Sequence, residues 1–584
     1  MAIWRRPFST SHSTSTVFEQ EEGEISDGSI KYVFEKGGND APATCQEATG
    51  APVENNSPLG YSVGPITIIF LNISKMVGTG IYSTPSAILA GTGSIGLSMI
   101  YWAIGFLTSI SSGSVYLEFA SYFPSRSGSE VVFLEQAYPR PLYFFPTTFA
   151  VQSVLLSFSS SNAIVLANYL FQCADTKGTD WQVKGVALAG YTVAVLAVSF
   201  HTRFSYLLSN GIGVVKVLTL AFVAITGLVV LGGHTSVADP QANFRTAWEG
   251  SPTPYGLTNA LYRIIFSYAG YENAFNVVNE VKNPIKTIRK HGFIALMIVT
   301  VLYLLTNIAF FASVSKEELQ SSGTIAASLF FRAVFGSSGA VRGLNFLIAL
   351  SSFGNLIAVL LGSSRMIREC GRQGVLPFTS FWASTRPFGT PLGPYFVKWF
   401  LTALMILALP TGDAFNFVSD LSVYPTAAFS LAMAVGLYVV RWRRRKANLP
   451  RPQFRAWDPV VIFNILVQLY LLVMPWWPPN GGQYAGDVSF WYGTYVVSGI
   501  GILIACGVYY FVWSKALPKL RCYELRQEVL NLGNGAQSHK IVKVPVDDVV
   551  EWDSTHDAVG RPLDRGVTNS PHDEEKAARA SSEN

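Results

Sequence analysis

The sequence predicts an all-α membrane protein of about 12 transmembrane helices, built as a five-plus-five inverted repeat with broken helices 1 and 6, plus two additional helices. Composition is the first reason. Of 584 residues, 49% are hydrophobic and only 14% charged, with a mean hydropathy of +0.31, whereas a soluble protein carries about 25% charged residues. Apolar windows of roughly 20 residues, the length that crosses a bilayer, also recur along the chain. Finally, two of these windows, five spans apart, are interrupted by glycine and charge. In membrane proteins made of inverted repeats, paired interruptions of this kind mark where a solute binds.

Residues 1–60 are rich in Ser, Thr, Glu and Gly and read as a disordered tail. The opening "MAIWRRPFSTSHSTSTVFEQEEGE" has basic residues but no apolar stretch behind them, so it is not a signal peptide. Candidate spans follow near 63–90, 95–119, 143–171, 184–200, 207–231, 255–278, 291–313, 343–367, 393–409, 417–440, 459–476 and 490–513. The fourth and ninth are shortest, and 321–342 is ambiguous. Residues 61–515 thus form the membrane domain, and 516–584 a polar, mostly disordered second tail.

Basic residues orient the spans. With a cytoplasmic amino terminus, the inner loops hold Arg126, Arg140, Arg203, Lys282, Lys286, Arg289, Lys290, Arg365, Arg368, Arg372 and Arg386. They also hold "RWRRRK" at Arg441–Lys446, a run expected to enforce topology and touch anionic lipid headgroups rather than nucleic acid. The outer loops carry few, such as Lys177, Lys184, Arg245 and Lys316, so both termini are predicted to be cytoplasmic. The five cysteines show no disulfide framework and no metal-ligand spacing, and neither a metal nor a cofactor is expected. The acidic patch "EQEEGEISDG" reads as a solvated tail or a docking site for trafficking factors. Lys31 and Lys36 beside it are candidate acceptors for a ubiquitin ligase recruited by such adaptors.

The first interruption is "KMVGTGIYSTP" at Lys75–Pro85, behind the apolar run "GPITIIFLNIS". Glycine weakens a helix, and an ammonium in hydrocarbon costs about 2.5–3.5 kcal/mol on insertion scales. The second is "RIIFSYAGYENAFNVVNEVKNP", with Gly270 and Glu272 amid apolar sequence. Unwinding exposes N–H groups on one half of a helix and carbonyls on the other. Two such breaks side by side suit a zwitterion. Gly78 and Gly80 permit close backbone approach, and Thr79 adds a hydroxyl. Glycines of this kind also serve simply to pack membrane helices closely.

"VGTGIYSTP", "FSYAGYENAFNVVNEVKNP" and "SSRMIRECGRQGVLP" resemble the span 1, span 6 and post-span 8 signatures of the amino acid–polyamine–organocation superfamily. Within it the sequence is similar to the L-type amino acid transporter branch, and most to the fungal high-affinity methionine permeases, over about residues 60–515. The resemblance implies a LeuT-like fold and a secondary active transporter with a neutral L-amino acid as substrate. It implies that the carboxylate meets the amides of Gly78, Thr79 and Gly80, and the ammonium the carbonyls of Met76, Phe266 and Ala269. It makes Phe266 an aromatic gate, and the side-chain pocket is expected from spans 3, 8 and 10 at Ser160, Asn355 and Tyr424.

Lys216, isolated in span 5, matches the lysine that replaces a sodium ion in sodium-independent relatives and contacts unwound span 1. Because burial disfavours a charged amine, such a lysine either carries a proton through the cycle or only braces span 1. Lys75 and Glu272 depart from the uncharged residues usual in mammalian-type relatives. Lys75 pairs with Glu272 or with Glu280 further down span 6. Ile357 stands where that branch has an asparagine, so Asn355 is expected to serve instead.

Proton-coupled import of L-methionine across the plasma membrane by alternating access is the leading expectation. The alternatives are a sodium-independent exchanger of large neutral amino acids, with Cys173 near the loop where animal exchangers bond a partner glycoprotein, and an amino-acid sensor with little transport. An enzyme is disfavoured, as the sequence has no Walker A, HExxH or nucleophile-elbow motif.

Overall fold

The computed structural model describes residues 25–26 and 30–563, apart from 236, 337, 409–410, 487 and 533–534. Span 1 is divided into α1 (Pro65–Met76), α2 (Gly80–Ser83) and α3 (Pro85–Thr92). Span 2 is α4 (Ile95–Tyr122), capped by Ser94, whose hydroxyl accepts the Leu97 amide. After α5 (Glu130–Ala137), span 3 is broken too, into α6 (Phe144–Leu155) and α7 (Ser160–Cys173). Spans 4 and 5 are α8 (Asp180–Ser199), which opens on a Thr179/Gln182 capping box, and α9 (Thr202–Leu231).

Past the short α10 (Ala242–Arg245), span 6 comprises α11 (Pro254–Tyr268) and a 3-10 helix, Asn273–Glu280. Span 7 is α12 (Pro284–Ser313). The ambiguous region becomes α13 (Lys316–Ser321) and α14 (Ala326–Phe335), the latter apolar but too short to cross a bilayer. Span 8 is α15 (Ser338–Arg372), so the basic segment read as a loop after it is the last turns of the helix. After α16 (Thr379–Ala383), the remaining spans are α17 (Leu392–Ala408), α18 (Thr411–Lys446), α19 (Asp458–Val473) and α20 (Thr494–Phe511). Among the described residues ten helices are long and apolar enough to cross a membrane, and the predicted sixth and ninth spans are the shorter α11 and α17. Corresponding elements of the two halves pack on one another: α3 on α11, α4 on α12, and α7 on α15. A two-fold relation between repeats brings equivalent elements into contact where they lie beside the axis.

The tails differ from the disorder predicted for 1–60 and 516–584. β1 (Ile25–Ser26), β2 (Lys31–Glu35) and β3 (Thr44–Glu47) form an antiparallel sheet. After α21 (Leu517–Leu520), β4 (Tyr523–Asn531) and β5 (Gln537–Pro545) form a hairpin, followed by α22 (Val549–Thr555). These elements are held by polar side chains from the helix bundle, which hydropathy patterning does not register. Arg126 contacts Glu369 at 2.8 Å, Glu135 at 3.1 Å and Gln46 of β3 at 2.7 Å. Arg372 binds Glu369 at 2.6 Å and donates to the carbonyls of Pro52 and Gln537 at 2.5 and 2.6 Å, so it ties both tails to α15. Arg368 pairs with Glu54 at 2.7 Å. The patch at 19–28 lies almost wholly outside the described residues, as do 564–584.

The "RWRRRK" run also departs from expectation. Arg441 pairs with Glu118 at 2.6 Å, Arg443 donates to the carbonyls of Gln136 and Ala137, and Arg444 to that of Cys45. These three turn inward, which leaves Arg445 and Lys446 of the run's charged residues exposed. The Glu118 carboxylate and these backbone carbonyls accept from the arginines' several donors, so the three are engaged within the protein rather than by headgroups.

Candidate functional site

Both glycine-marked breaks are present, and they touch. α1 ends at Met76, Val77 leaves helical geometry, and the Gly78 amide turns back to the Met76 carbonyl at 2.8 Å. α11 ends at Tyr268; Ala269 is extended, and Gly270 has φ +139°. A Cβ on Gly270 would stand 2.6 Å from the Met76 nitrogen, so only glycine permits this approach. Asn72 clasps the other side, donating to the Tyr271 carbonyl at 3.0 Å and accepting the Ala274 amide at 2.9 Å.

Lys75 and Glu272 form a pair at 2.6 Å, each side chain less than one-fifth exposed. Glu272 is thus the partner of Lys75, and its second oxygen accepts the Gly270 amide at 2.8 Å. Glu280 instead binds Arg365 at 3.1 Å and the Tyr206 hydroxyl at 2.9 Å. Lys216 is buried and donates to the carbonyls of Ser74 and Val77, each at 2.7 Å. These are carbonyls that the end of α1 leaves without a helical partner, so the ammonium occupies the place of a cation at a helix C-terminus. The Tyr303 hydroxyl shares its proton between the Met76 carbonyl at 2.7 Å and the Ser267 carbonyl at 3.0 Å, bridging both breaks.

A cavity of about 360 Å³ opens at the junction, within the ~300–1,000 Å³ usual for small-molecule sites. Lys75, Met76, Gly78, Thr79, Gly80, Phe266, Ala269, Glu272 and Asn355 all line it. Two expected pocket residues do not. Ser160 is fully buried two positions from the lining Asn162, on the opposite side of α7. Tyr424 points its hydroxyl to the Leu472 carbonyl at 3.4 Å, while Val423, Thr426 and Ala427 present the cavity face of α18. Lys216 sits behind the unwound backbone, outside the lining.

Asn355 donates to the Lys75 carbonyl at 2.5 Å, and a Cβ on Gly78 would collide with its amide. A Cβ on Gly80 would come within 2.8 Å of the Ser267 Cα. The two glycines therefore serve close packing as well as the cavity. Thr79 donates to Asn162 Oδ1 at 2.6 Å. Apolar surface comes from Phe149, Phe158, Ile265, Phe266 and Phe429.

Three contributors escaped the sequence reading. Lys398 of α17 lines the cavity and donates to the Ser157 carbonyl at 2.6 Å, while the Ser159 amide donates to Thr402 at 3.0 Å. Span 9 thus holds the break in span 3 much as Lys216 holds that in span 1. Lys398 is isolated in apolar sequence like Lys216, a signal that was available. Asn162 and Tyr303 carry no comparable mark.

Residues 63–504 match the family model described as amino acid permease. The high-affinity methionine permease of Saccharomyces cerevisiae is 35% identical over 501 residues, 85% of this chain and 87% of that protein. The low-affinity methionine permease of the same yeast is 28% identical, covering 89% of this chain and 96% of its own length. The b(0,+)-type amino acid transporter 1 of Mus musculus is 25% identical over 81% of this chain and 93% of its own. With two unwound spans meeting at a cavity and a match across most of its length, the chain belongs to the amino acid permease family.

Proposed function

We propose that this permease imports L-methionine across the plasma membrane by alternating access, coupled to protons, with both termini cytoplasmic. The observation that carries the proposal is the meeting of two unwound spans at a small cavity lined by residues of both breaks and by several aromatic rings. In this reading the backbone at Met76–Gly80 and Phe266–Ala269 meets the zwitterion's charged groups, the Gly78 amide and the Met76 and Phe266 carbonyls exchanging their internal contacts for the substrate, with Thr79 and Asn355 beside them and Phe266 as gate. The rings of Phe149, Phe158 and Phe429 suit a thioether, which makes favourable sulfur–aromatic contacts. The yeast methionine permeases support that choice of substrate. The inner-loop basic residues support the orientation. Lys31 and Lys36 are exposed, as acceptors for a ubiquitin ligase and its adaptors need to be.

Coupling rests on Lys216. Its two carbonyl partners belong to the segment that must rearrange when span 1 moves, so losing and regaining the ammonium contacts is linked to that motion. The test is methionine accumulation at two external pH values, with competition by all twenty amino acids. Wild type should accumulate more at lower pH and lose accumulation to a protonophore. Lys216→Met should lose accumulation while exchange survives, and Lys216→Arg, whose guanidinium keeps its proton, should uncouple as well. Wild-type-like, pH-dependent accumulation in Lys216→Met rules out the proton-carrier role. Uptake that requires an internal amino acid and ignores pH identifies an exchanger instead.

A further inference from the structure

A second cavity, of about 700 Å³, lies between span 2 and span 7, outside the substrate site. Its body is apolar: Leu117 of α4 and Ile288 and Phe293 of α12 contribute walls, and Gly113 and Gly292 give it width. Phe293 is 48% exposed, on a helix apolar enough to cross a membrane, so this side of the groove faces lipid. At the mouth, toward the end of the bundle that carries the tails, stand Lys286, Arg289 and Lys290, all exposed. Arg289 lies over the Phe454 ring, 5.2 Å from its centroid, which holds the guanidinium at the rim. Among the described residues none of the three basic groups has a carboxylate within ion-pair distance. The inward-turned arginines of α18, by contrast, are engaged by Glu118 and backbone carbonyls.

We propose that this groove is a binding site for an anionic glycerophospholipid. One acyl chain lies between α4 and α12, and the phosphate and anionic headgroup are held by Lys286, Arg289 and Lys290. Apolar body and cationic rim match the two ends of such a lipid, and among the described residues no acidic side chain lines the groove to oppose it. On the orientation proposed above, the site opens to the cytoplasmic leaflet, where anionic lipids are concentrated. Its floor is Tyr271 and Phe275 of span 6, adjoining the Gly270 break, and Tyr271 also lines the substrate cavity. A lipid seated here packs against the back of the hinge.

The experiment is native mass spectrometry of the purified full chain with phosphatidylserine or phosphatidylcholine of identical acyl chains. Thermal unfolding confirms that each variant is folded. Wild type should retain phosphatidylserine over phosphatidylcholine by at least about tenfold. Lys286→Gln/Arg289→Gln/Lys290→Gln should lose that preference, whereas Lys515→Gln/Lys519→Gln/Arg521→Gln, with equal charge removed elsewhere, should keep it. Gly113→Leu projects its side chain into the groove body; its Cβ meets Tyr271 at an ordinary 3.5 Å, and the unfolding measurement checks that the variant is folded. It should reduce retention of both lipids. The proposal is overturned by equal retention of the two lipids in wild type, by a basic-rim variant that behaves like its control, or by undiminished retention in Gly113→Leu. A lipid-free dimer whose formation Gly113→Leu abolishes also overturns it, since the occupant is then a second copy.

Discussion

Replacing Glu272 by glutamine tests whether the two breaks are held together by charge. The substitution preserves shape, and the amide oxygen still accepts the Gly270 N–H, but Lys75 loses its counter-ion. At 2.6 Å, two unit charges attract by roughly 6 kcal/mol at an effective dielectric of 20, and desolvation of both groups offsets much of it. Removing one partner strands the other in a nearly closed site, so Glu272→Gln and Lys75→Met should each lower stability by about 3 kcal/mol. The double variant leaves no stranded charge and should lose about 4 kcal/mol, less than the sum of the two single losses. The resulting coupling is about 2 kcal/mol, or roughly 30-fold as an equilibrium constant. The exchanged pair Lys75→Glu/Glu272→Lys restores the charges, but a lysine cannot accept the Gly270 amide, so it should remain impaired. The assays are thermal unfolding of purified protein and methionine uptake normalised to surface expression. Additive single effects, or wild-type behaviour of the exchanged pair, would refute the reasoning.

Gly78→Val should abolish uptake, and because its side chain meets Asn355 it should also lower stability by about 1–3 kcal/mol; near-normal uptake by surface-expressed protein would exclude the broken-helix site. Phe266→Ala should weaken uptake several-fold with little change in surface expression, through loss of an aromatic lid; unchanged kinetics would mean that the gate lies elsewhere. His539 of β5 is buried, and burial with Arg126 nearby pushes its pKa down to about 3. Its contribution to docking of the hairpin is therefore present above the ordinary histidine pKa near 6.5 and lost as pH falls toward 3. Between pH 6.5 and 5 the loss is roughly 2 kcal/mol, read as protease sensitivity of the hairpin in the full chain. Glu47, which burial raises to about 7, contributes with the opposite sign, its share lost as pH rises through that value. His539→Gln should accordingly abolish the acid-side sensitivity, and an unchanged profile would remove His539 from the account.

The spans and their two glycine-marked breaks could be read from sequence because their cause is local. Lipid offers no hydrogen bonds, so each crossing must be a long apolar helix, and Gly78, Gly80 and Gly270 interrupt that pattern visibly. The isolated Lys216 and Lys75 were legible for the same reason, since a charge in an apolar run needs a partner. The hairpin was missed, because its polar strands read as a disordered tail; the Asn-Gly pair at 534–535 is the signal that could have marked a turn there. Tertiary structure alone decided which partner each charge takes. Lys75 and Glu272 are 197 residues apart, and helical phase and packing, not spacing, set Glu272 rather than Glu280 against the lysine. Phase likewise turned Ser160 and Tyr424 away from the cavity, and packing placed Tyr303 across both breaks. The arginines of α18 turned inward because the Glu118 carboxylate and backbone carbonyls of distant segments accept from them, and a hydropathy profile contains no trace of those acceptors.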